Sequence, residues 1–174
     1  TGFRKNPVNK LLLNFTNSQK NRYGIQLFSS VYNPTNYITA FSVTGDRPYA
    51  GVLGFRFIES SVKNSKKSSL SSTLDLGVIG PYAFGKEIQS GIHTLINNTL
   101  PIGWEFQIKN APIINYGARL ERQFYSHSFF TVQGMSHLNL GTFQSNIASG
   151  IEFSIGLKNN PYRTEERPFE LYLY

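Results

Sequence analysis

Apolar and polar residues alternate along most of the chain, a pattern that is typical of β-strands. In "ASGIEFSIGL", Ile151, Phe153 and Ile155 fall on one face of the predicted strand, and Glu152 and Ser154 fall on the other. This alternation fits a half-buried sheet of a water-soluble domain, and it equally fits a barrel wall between lipid and a polar interior. Comparable segments occur at residues 24–32, 50–59, 71–80 and 114–125.

The segment "LGVIGPYAFGKEIQSGIHTLINN" changes from a strand pattern to a helical one. The strand pattern stops at Gly80-Pro81, a pair that favours a turn. Beyond it, apolar residues recur with helical spacing, which predicts one short helix over Gly85–Asn97. We expect the apolar stripe of this helix to dock onto the rest of the protein. The stripe consists of Ile88, Ile92, Leu95 and Ile96.

Two polar residues lie beside that stripe. Gln89 and His93 are four positions apart, so their side chains share one face of the predicted helix. An imidazole can take a proton from water near neutral pH, and an amide can hold a water or an oxyanion. The pair is therefore a candidate catalytic site. The alternative is that His93 is an ordinary surface residue of the helix.

Composition narrows the class of protein. No run of about 18 apolar residues is present, which excludes a helical membrane protein but leaves a transmembrane β-barrel open. Charged residues make up 16% of the chain, against about 25% in soluble domains. The 14 Phe and 10 Tyr residues suit a barrel with aromatic girdles. The chain has no Cys, which excludes disulfides, a thiol nucleophile and a thiolate metal site.

The charge indicates an anionic partner. Seventeen Lys and Arg against ten Asp and Glu give a net charge of +7, which favours nucleic acid, phospholipid or lipopolysaccharide. A basic solvated surface is the alternative. Nucleic acid is not expected, because the aromatic residues follow strand alternation instead of lining a basic face. His127 and His137 lack the spacing of zinc ligands and are expected to lie at a rim or in a polar interior.

Three motifs carry a resemblance to a known family. "GDRPYAGVLGF" (Gly45–Phe55), "LGVIGPYAFGKEIQSGIHTLI" (Leu76–Ile96) and "GWEFQIKNAP" (Gly103–Pro112) resemble, in order and spacing, segments of the lipid A 3'-O-deacylase (LpxR) family. The match covers residues 23 to 125, and the remainder matches as barrel-like hairpins. The resemblance implies an all-β, antiparallel transmembrane β-barrel of about twelve strands when complete, with one short helix near residues 85–97.

The resemblance also implies a function and a location. Members of the family are calcium-dependent hydrolases in the outer membrane of Gram-negative bacteria, and they remove an ester-linked acyl group from the lipid A of lipopolysaccharide. His93 matches the family's catalytic histidine, and Gln89 matches the glutamine one turn before it. In the implied mechanism, calcium polarises the ester carbonyl and the histidine deprotonates a water. Asp46 and Arg47 match as well, and we interpret them as residues that pin a turn.

Two departures from the family pattern bear on calcium. The Asn-Asp pair that supports calcium on the family's first strand is not found, and the opening "TGFRKNPVNKLLLNF" resembles the second strand of some relatives. Thr99 stands where some members have a glutamate, and calcium prefers several oxygen ligands with negative charge. Metal ligands are therefore not assigned. We expect residues 1–174 to form a single β-barrel domain that is incomplete at both ends, with "FELYLY" as a late strand.

Two functions remain open at this point. The first is a lipid A deacylase with His93 as general base, Gln89 as its neighbour and calcium as cofactor. The second is a non-catalytic barrel of the same family, which serves as a structural or interaction subunit and binds partner proteins in an outer-membrane assembly.

Overall fold

Six strands form one antiparallel sheet in the computed structural model, which describes residues 7–35, 45–127 and 129–156. The strands follow one another in chain order, so β1 and β6 lie at the two edges of an open sheet. The predicted strand segments are confirmed. Four of them are longer than predicted, and the strand predicted at 148–157 has the predicted length but begins two residues earlier. "FELYLY" lies outside the described residues. The strands are β1 (Lys20–Tyr32), β2 (Ala50–Lys63), β3 (Ser68–Ile79), β4 (Ala111–His127), β5 (Phe130–Gly141) and β6 (Asn146–Ile155).

The β5–β6 hairpin shows which face of the sheet is apolar. Ile151, Phe153 and Ile155 are exposed to 63%, 66% and 86%. On the opposite face the paired residues Gln133 and Glu152 are hydrogen-bonded at 3.1 Å. A water-soluble sheet would bury the apolar set. The exposed apolar face therefore indicates the barrel wall and not the half-buried soluble sheet.

The chain divides into two compact units, and strands β1 to β4 contribute residues to both. The first unit comprises residues 1–24, 57–74 and 116–174. Its opening segment has a 3-10 turn over Pro7–Leu11 and no strand among the described residues 7–19, although the sequence here resembles a strand and its turn in some relatives. The reason is that the backbone here bonds to side chains of the sheet instead of a neighbouring strand. Leu13 N–H donates to the Tyr116 hydroxyl at 2.9 Å, and Phe15 N–H donates to Ser61 Oγ at 3.0 Å.

The second unit comprises residues 25–56 and 75–115, and it contains the turn that carries Asp46 and Arg47. The Asp46 carboxylate accepts the backbone N–H groups of Thr35 and Arg47, and Arg47 Nε donates to the Asn33 carbonyl. These bonds confirm that the two residues pin a turn. The same backbone donors, Thr35 first, lower the pKa of Asp46, so this anchoring is present above the ordinary carboxyl pKa and is lost as the pH falls.

Strand β3 ends at Ile79, and directly after it the backbone of Gly80 lies close to the backbone of Asn110. The φ of Gly80 is 110°, and a Cβ at this position would lie 2.8 Å from the backbone nitrogen of Asn110. Gly80 N–H donates to the Gly51 carbonyl at 2.8 Å, and a 3-10 turn over Pro81–Ala83 follows. The helix α1 then runs over Gly85–Leu95, two residues shorter than predicted. No helix among the described residues is long and apolar enough to cross a membrane.

Candidate functional site

Helix α1 leaves its apolar stripe exposed, so the prediction that this stripe docks onto the rest of the protein is wrong. Ile92, Leu95 and Ile96 are exposed to 52%, 84% and 63%. Gln89 and His93 are only half-buried, on a side of the helix that contacts other residues of its unit. The spacing of apolar residues tells which side of a helix is apolar, but it does not tell what covers that side. We call the set Ile88, Ile92, Leu95 and Ile96 the apolar helix face.

The first turn of α1 is held by contacts that leave no room for a side chain at Gly85. A Cβ there would lie 2.8 Å from Gly51 Cα in β2 and 2.8 Å from Trp104 Cη2. Trp104 is 2% exposed, and its ring lies 4.7 Å from that of Tyr49, centroid to centroid. Because backbone and indole pack directly on Gly85, they fix the position of the helix, and Gln89 follows one turn later.

Gln89 is oriented by this tryptophan. The indole Nε1–H of Trp104 donates to Gln89 Oε1 at 3.1 Å. An indole N–H can only donate, so the amide oxygen must point toward Trp104. The amide NH₂ group is then the end of Gln89 that can donate to a water or to a developing oxyanion.

His93 is oriented by the backbone that follows the helix. Its Nδ1 lies 2.5 Å from the carbonyl oxygen of Thr99. A carbonyl oxygen only accepts, so Nδ1 carries the proton in this contact. A neutral imidazole has one N–H, and the lone pair of this tautomer therefore resides on Nε2. This is the form of the ring that can act as a base through Nε2.

The two side chains lie four positions apart in α1 and so share one face of the helix, as the sequence predicted. Residues four apart on a helix have Cβ atoms about 6 Å apart. An amide donor and an imidazole acceptor at this separation can hold one water between them and take its proton. Their assignment as catalytic residues stays a prediction.

Calcium ligands are not assigned among the described residues. No group of three or more His, Asp or Glu residues in residues 7–35, 45–127 and 129–156 is arranged to hold a metal. The Gln89 amide oxygen already accepts the Trp104 indole, and the Thr99 carbonyl already accepts the His93 ring. Calcium binds several oxygen ligands, and each of these two oxygens already accepts one hydrogen bond.

Sequence patterns did not reveal two of the residues that build this site. Trp104 is the single Trp of the chain, and it follows Gly103 in a 3-10 turn 15 positions after Gln89. The N–H group of a buried indole usually donates to a polar partner. A single Trp that is expected to be buried therefore predicts a hydrogen-bond acceptor close to it. Thr99 acts through its backbone carbonyl, which no residue type encodes.

Comparison with known proteins decides the family. The model of the family described as "Outer membrane protein LpxR" matches residues 4–172. The chain belongs to the LpxR family. LpxR proteins are outer-membrane proteins, so the location predicted from the sequence is confirmed. No curated protein matches the chain.

A solved structure shows the fold. LpxR from Salmonella typhimurium is similar to this chain with a TM-score of 0.68 and 20% sequence identity, over 82% of this chain and 49% of that one. The likeness confirms the outer-membrane β-barrel fold of LpxR for the open six-stranded sheet. The chain spans about half the length of the Salmonella LpxR.

Proposed function

We propose that the protein hydrolyses an ester-linked acyl chain of lipid A in the outer membrane, with His93 as general base and Gln89 as the residue that positions water or the oxyanion. The observation that carries the proposal is the half-buried pair Gln89 and His93, in which Trp104 orients the amide and Thr99 orients the imidazole. Membership of the LpxR family supports the choice of lipid A as substrate.

The chemistry follows from the groups present. Water attacks the ester carbonyl carbon while Nε2 of neutral His93 takes one of its protons. The Gln89 NH₂ group donates to the attacking water or to the oxygen that becomes negative. When the tetrahedral intermediate collapses, the ester C–O bond breaks and the imidazolium returns the proton to the leaving alkoxide. The products are a fatty acid and a free hydroxyl group, and no serine nucleophile is required.

Calcium stays a prediction from the family resemblance. When bound, it would supply a Lewis acid for the ester carbonyl. No step above is assigned to it, because its ligands are not assigned among the described residues.

The apolar helix face suits an enzyme whose substrate lies in a membrane. Its four side chains are 42% to 84% exposed, beside the half-buried pair Gln89 and His93. In an outer-membrane protein an exposed isoleucine face is stabilised by contact with acyl chains. The net charge of +7 favours the anionic head group of the same lipid.

We expect the apolar helix face to contact lipid hydrocarbon. The chain has no Cys, so Leu95→Cys and Glu87→Cys each create a single labelling site on α1, one inside the apolar helix face and one outside it. With a fluorophore on each variant in proteoliposomes, spin-labelled acyl chains should quench position 95 more strongly than position 87. Equal quenching at the two positions would contradict lipid contact by this face.

The proposed activity is tested with the purified full-length protein and lipid A in mixed micelles containing calcium. We expect fatty acid to appear in proportion to time and enzyme. Binding of lipid A without any release of fatty acid would favour the second function, a non-catalytic barrel that acts as a structural or interaction subunit.

A further inference from the structure

Helix α1 ends in a backbone motif that involves the proposed catalytic histidine. Asn97 has a φ of 52°, in the left-handed region. Asn98 N–H donates to the His93 carbonyl at 2.8 Å, and Asn97 N–H donates to the Thr94 carbonyl at 3.3 Å. This pair of bonds around one left-handed residue is a Schellman motif, and His93 is the residue that accepts its long-range bond.

The same turn also provides a hydrogen-bond acceptor for the His93 ring. Asn98 Oδ1 accepts the Thr99 N–H at 2.8 Å, which holds Thr99 directly after the cap. The Thr99 carbonyl then accepts the ring Nδ1–H at 2.5 Å. Two consecutive residues therefore hold the backbone carbonyl and the ring of His93. A helix that continued past Ile96 would carry Thr99 away from the ring, because its backbone would rise about 1.5 Å per residue.

We propose that Asn97, Asn98 and Thr99 form a positioning element that holds His93 in its Nδ1–H tautomer. Neutral imidazole in water exchanges between two tautomers, and only one of them has the lone pair on Nε2. Because the acceptor is a backbone carbonyl, the element depends on the left-handed conformation of Asn97 and not on the side chain of Thr99. The effect on rate rests on the proposed hydrolase function, whereas the tautomer itself does not.

Two substitutions of Asn97 distinguish the positioning of His93 from a general effect on the stability of the fold. Asn97→Gly retains a residue that adopts the left-handed region without strain, whereas Asn97→Val places a β-branched side chain there. Asn98→Ala is a milder variant that removes only the acceptor for the Thr99 N–H. All three leave the His93 and Gln89 side chains unchanged.

The readout is the ¹⁵N NMR spectrum of the histidine rings in the full-length protein, with the His93 signals assigned by their loss in His93→Gln. We expect the Nδ1–H pattern in the wild type and Asn97→Gly. Asn97→Val, and in part Asn98→Ala, should show exchange between tautomers. In the acyl-release assay, Asn97→Val should lower kcat about tenfold or more with little change in KM. Asn97→Gly should keep the wild-type kcat.

The outcomes distinguish the two proposals. An Nε2–H pattern in the wild type, or an unchanged Nδ1–H pattern and wild-type kcat in Asn97→Val, would overturn the positioning element. An Nδ1–H pattern that is lost in Asn97→Val, in a protein that releases no fatty acid, would support the positioning element and reject the hydrolase function.

Discussion

His93→Ala is expected to lower the rate of acyl release from lipid A by about 10²- to 10⁴-fold, the usual contribution of a general base. The variant removes the only group of the Gln89–His93 pair that can take a proton from water near neutral pH. Release of fatty acid, followed by mass spectrometry, measures the effect. The loss should appear in kcat, because the imidazole acts on the reacting water and not on the acyl chain.

His137→Ala is the matched control for this prediction. His137 lies in β5, within the unit that does not contain helix α1, so its removal should leave the rate within the error of the assay. A His93→Ala protein as active as His137→Ala would show that the imidazole on α1 takes no part in the reaction.

Gly85→Ala is expected to lower the same rate by about 10²-fold, because a displacement near 1 Å is enough to spoil a reacting geometry. The added Cβ would lie 2.8 Å from Gly51 Cα and 2.8 Å from Trp104 Cη2, so the helix or the indole must move. Either movement disturbs the Trp104–Gln89 bond. Trp104 is the single Trp and is 2% exposed, so its emission should shift to longer wavelength.

Gly91→Ala is the matched control on the same helix. A Cβ at Gly91 would meet nothing within 4 Å, and Ala is favoured over Gly in a helix interior by about 0.5–1 kcal/mol. This variant should keep the wild-type rate and emission maximum. A wild-type rate and a wild-type emission maximum in Gly85→Ala would contradict the proposal that the tight contact of α1 with β2 and Trp104 positions the site.

The sheet was predictable from the sequence because strand alternation is a local property. Ile151, Phe153 and Ile155 alternate with Glu152 and Ser154, and the structure places the two sets on opposite faces. Alternation alone left the choice between a soluble sheet and a barrel wall open, because either environment can cover an apolar face. The exposure of that face, together with the LpxR family, resolved the choice.

The helix was predictable in position but not in rotation. The spacing of its apolar residues identified the apolar helix face, and such a face is usually buried against the protein core. In an outer-membrane protein the apolar side can face lipid, and the polar side can then contact the protein. The rotation is set by the close approach of Gly85 to Gly51 and Trp104, and these three residues are distant in sequence.

The candidate site was predictable only where residue type and spacing encode it. Gln89 and His93 share a helix face by their spacing, and in the structure each has a hydrogen-bonding partner outside the helix. The Trp104 donor comes from a later turn, and the Thr99 acceptor is backbone, so neither follows from a pattern of side chains. The conformation of the opening segment could not be predicted from strand alternation either, because the backbone N–H groups of Leu13 and Phe15 donate to side chains and not to a neighbouring strand.

The most direct measurement is the mass of lipid A extracted from outer membranes of cells that produce the full-length wild-type protein or its His93→Ala variant. We predict that wild-type membranes contain lipid A lighter by one ester-linked acyl group, and that His93→Ala membranes do not. Identical lipid A masses in the two membranes, with both proteins present in the outer membrane in equal amounts, would contradict a hydrolytic role for the Gln89–His93 pair.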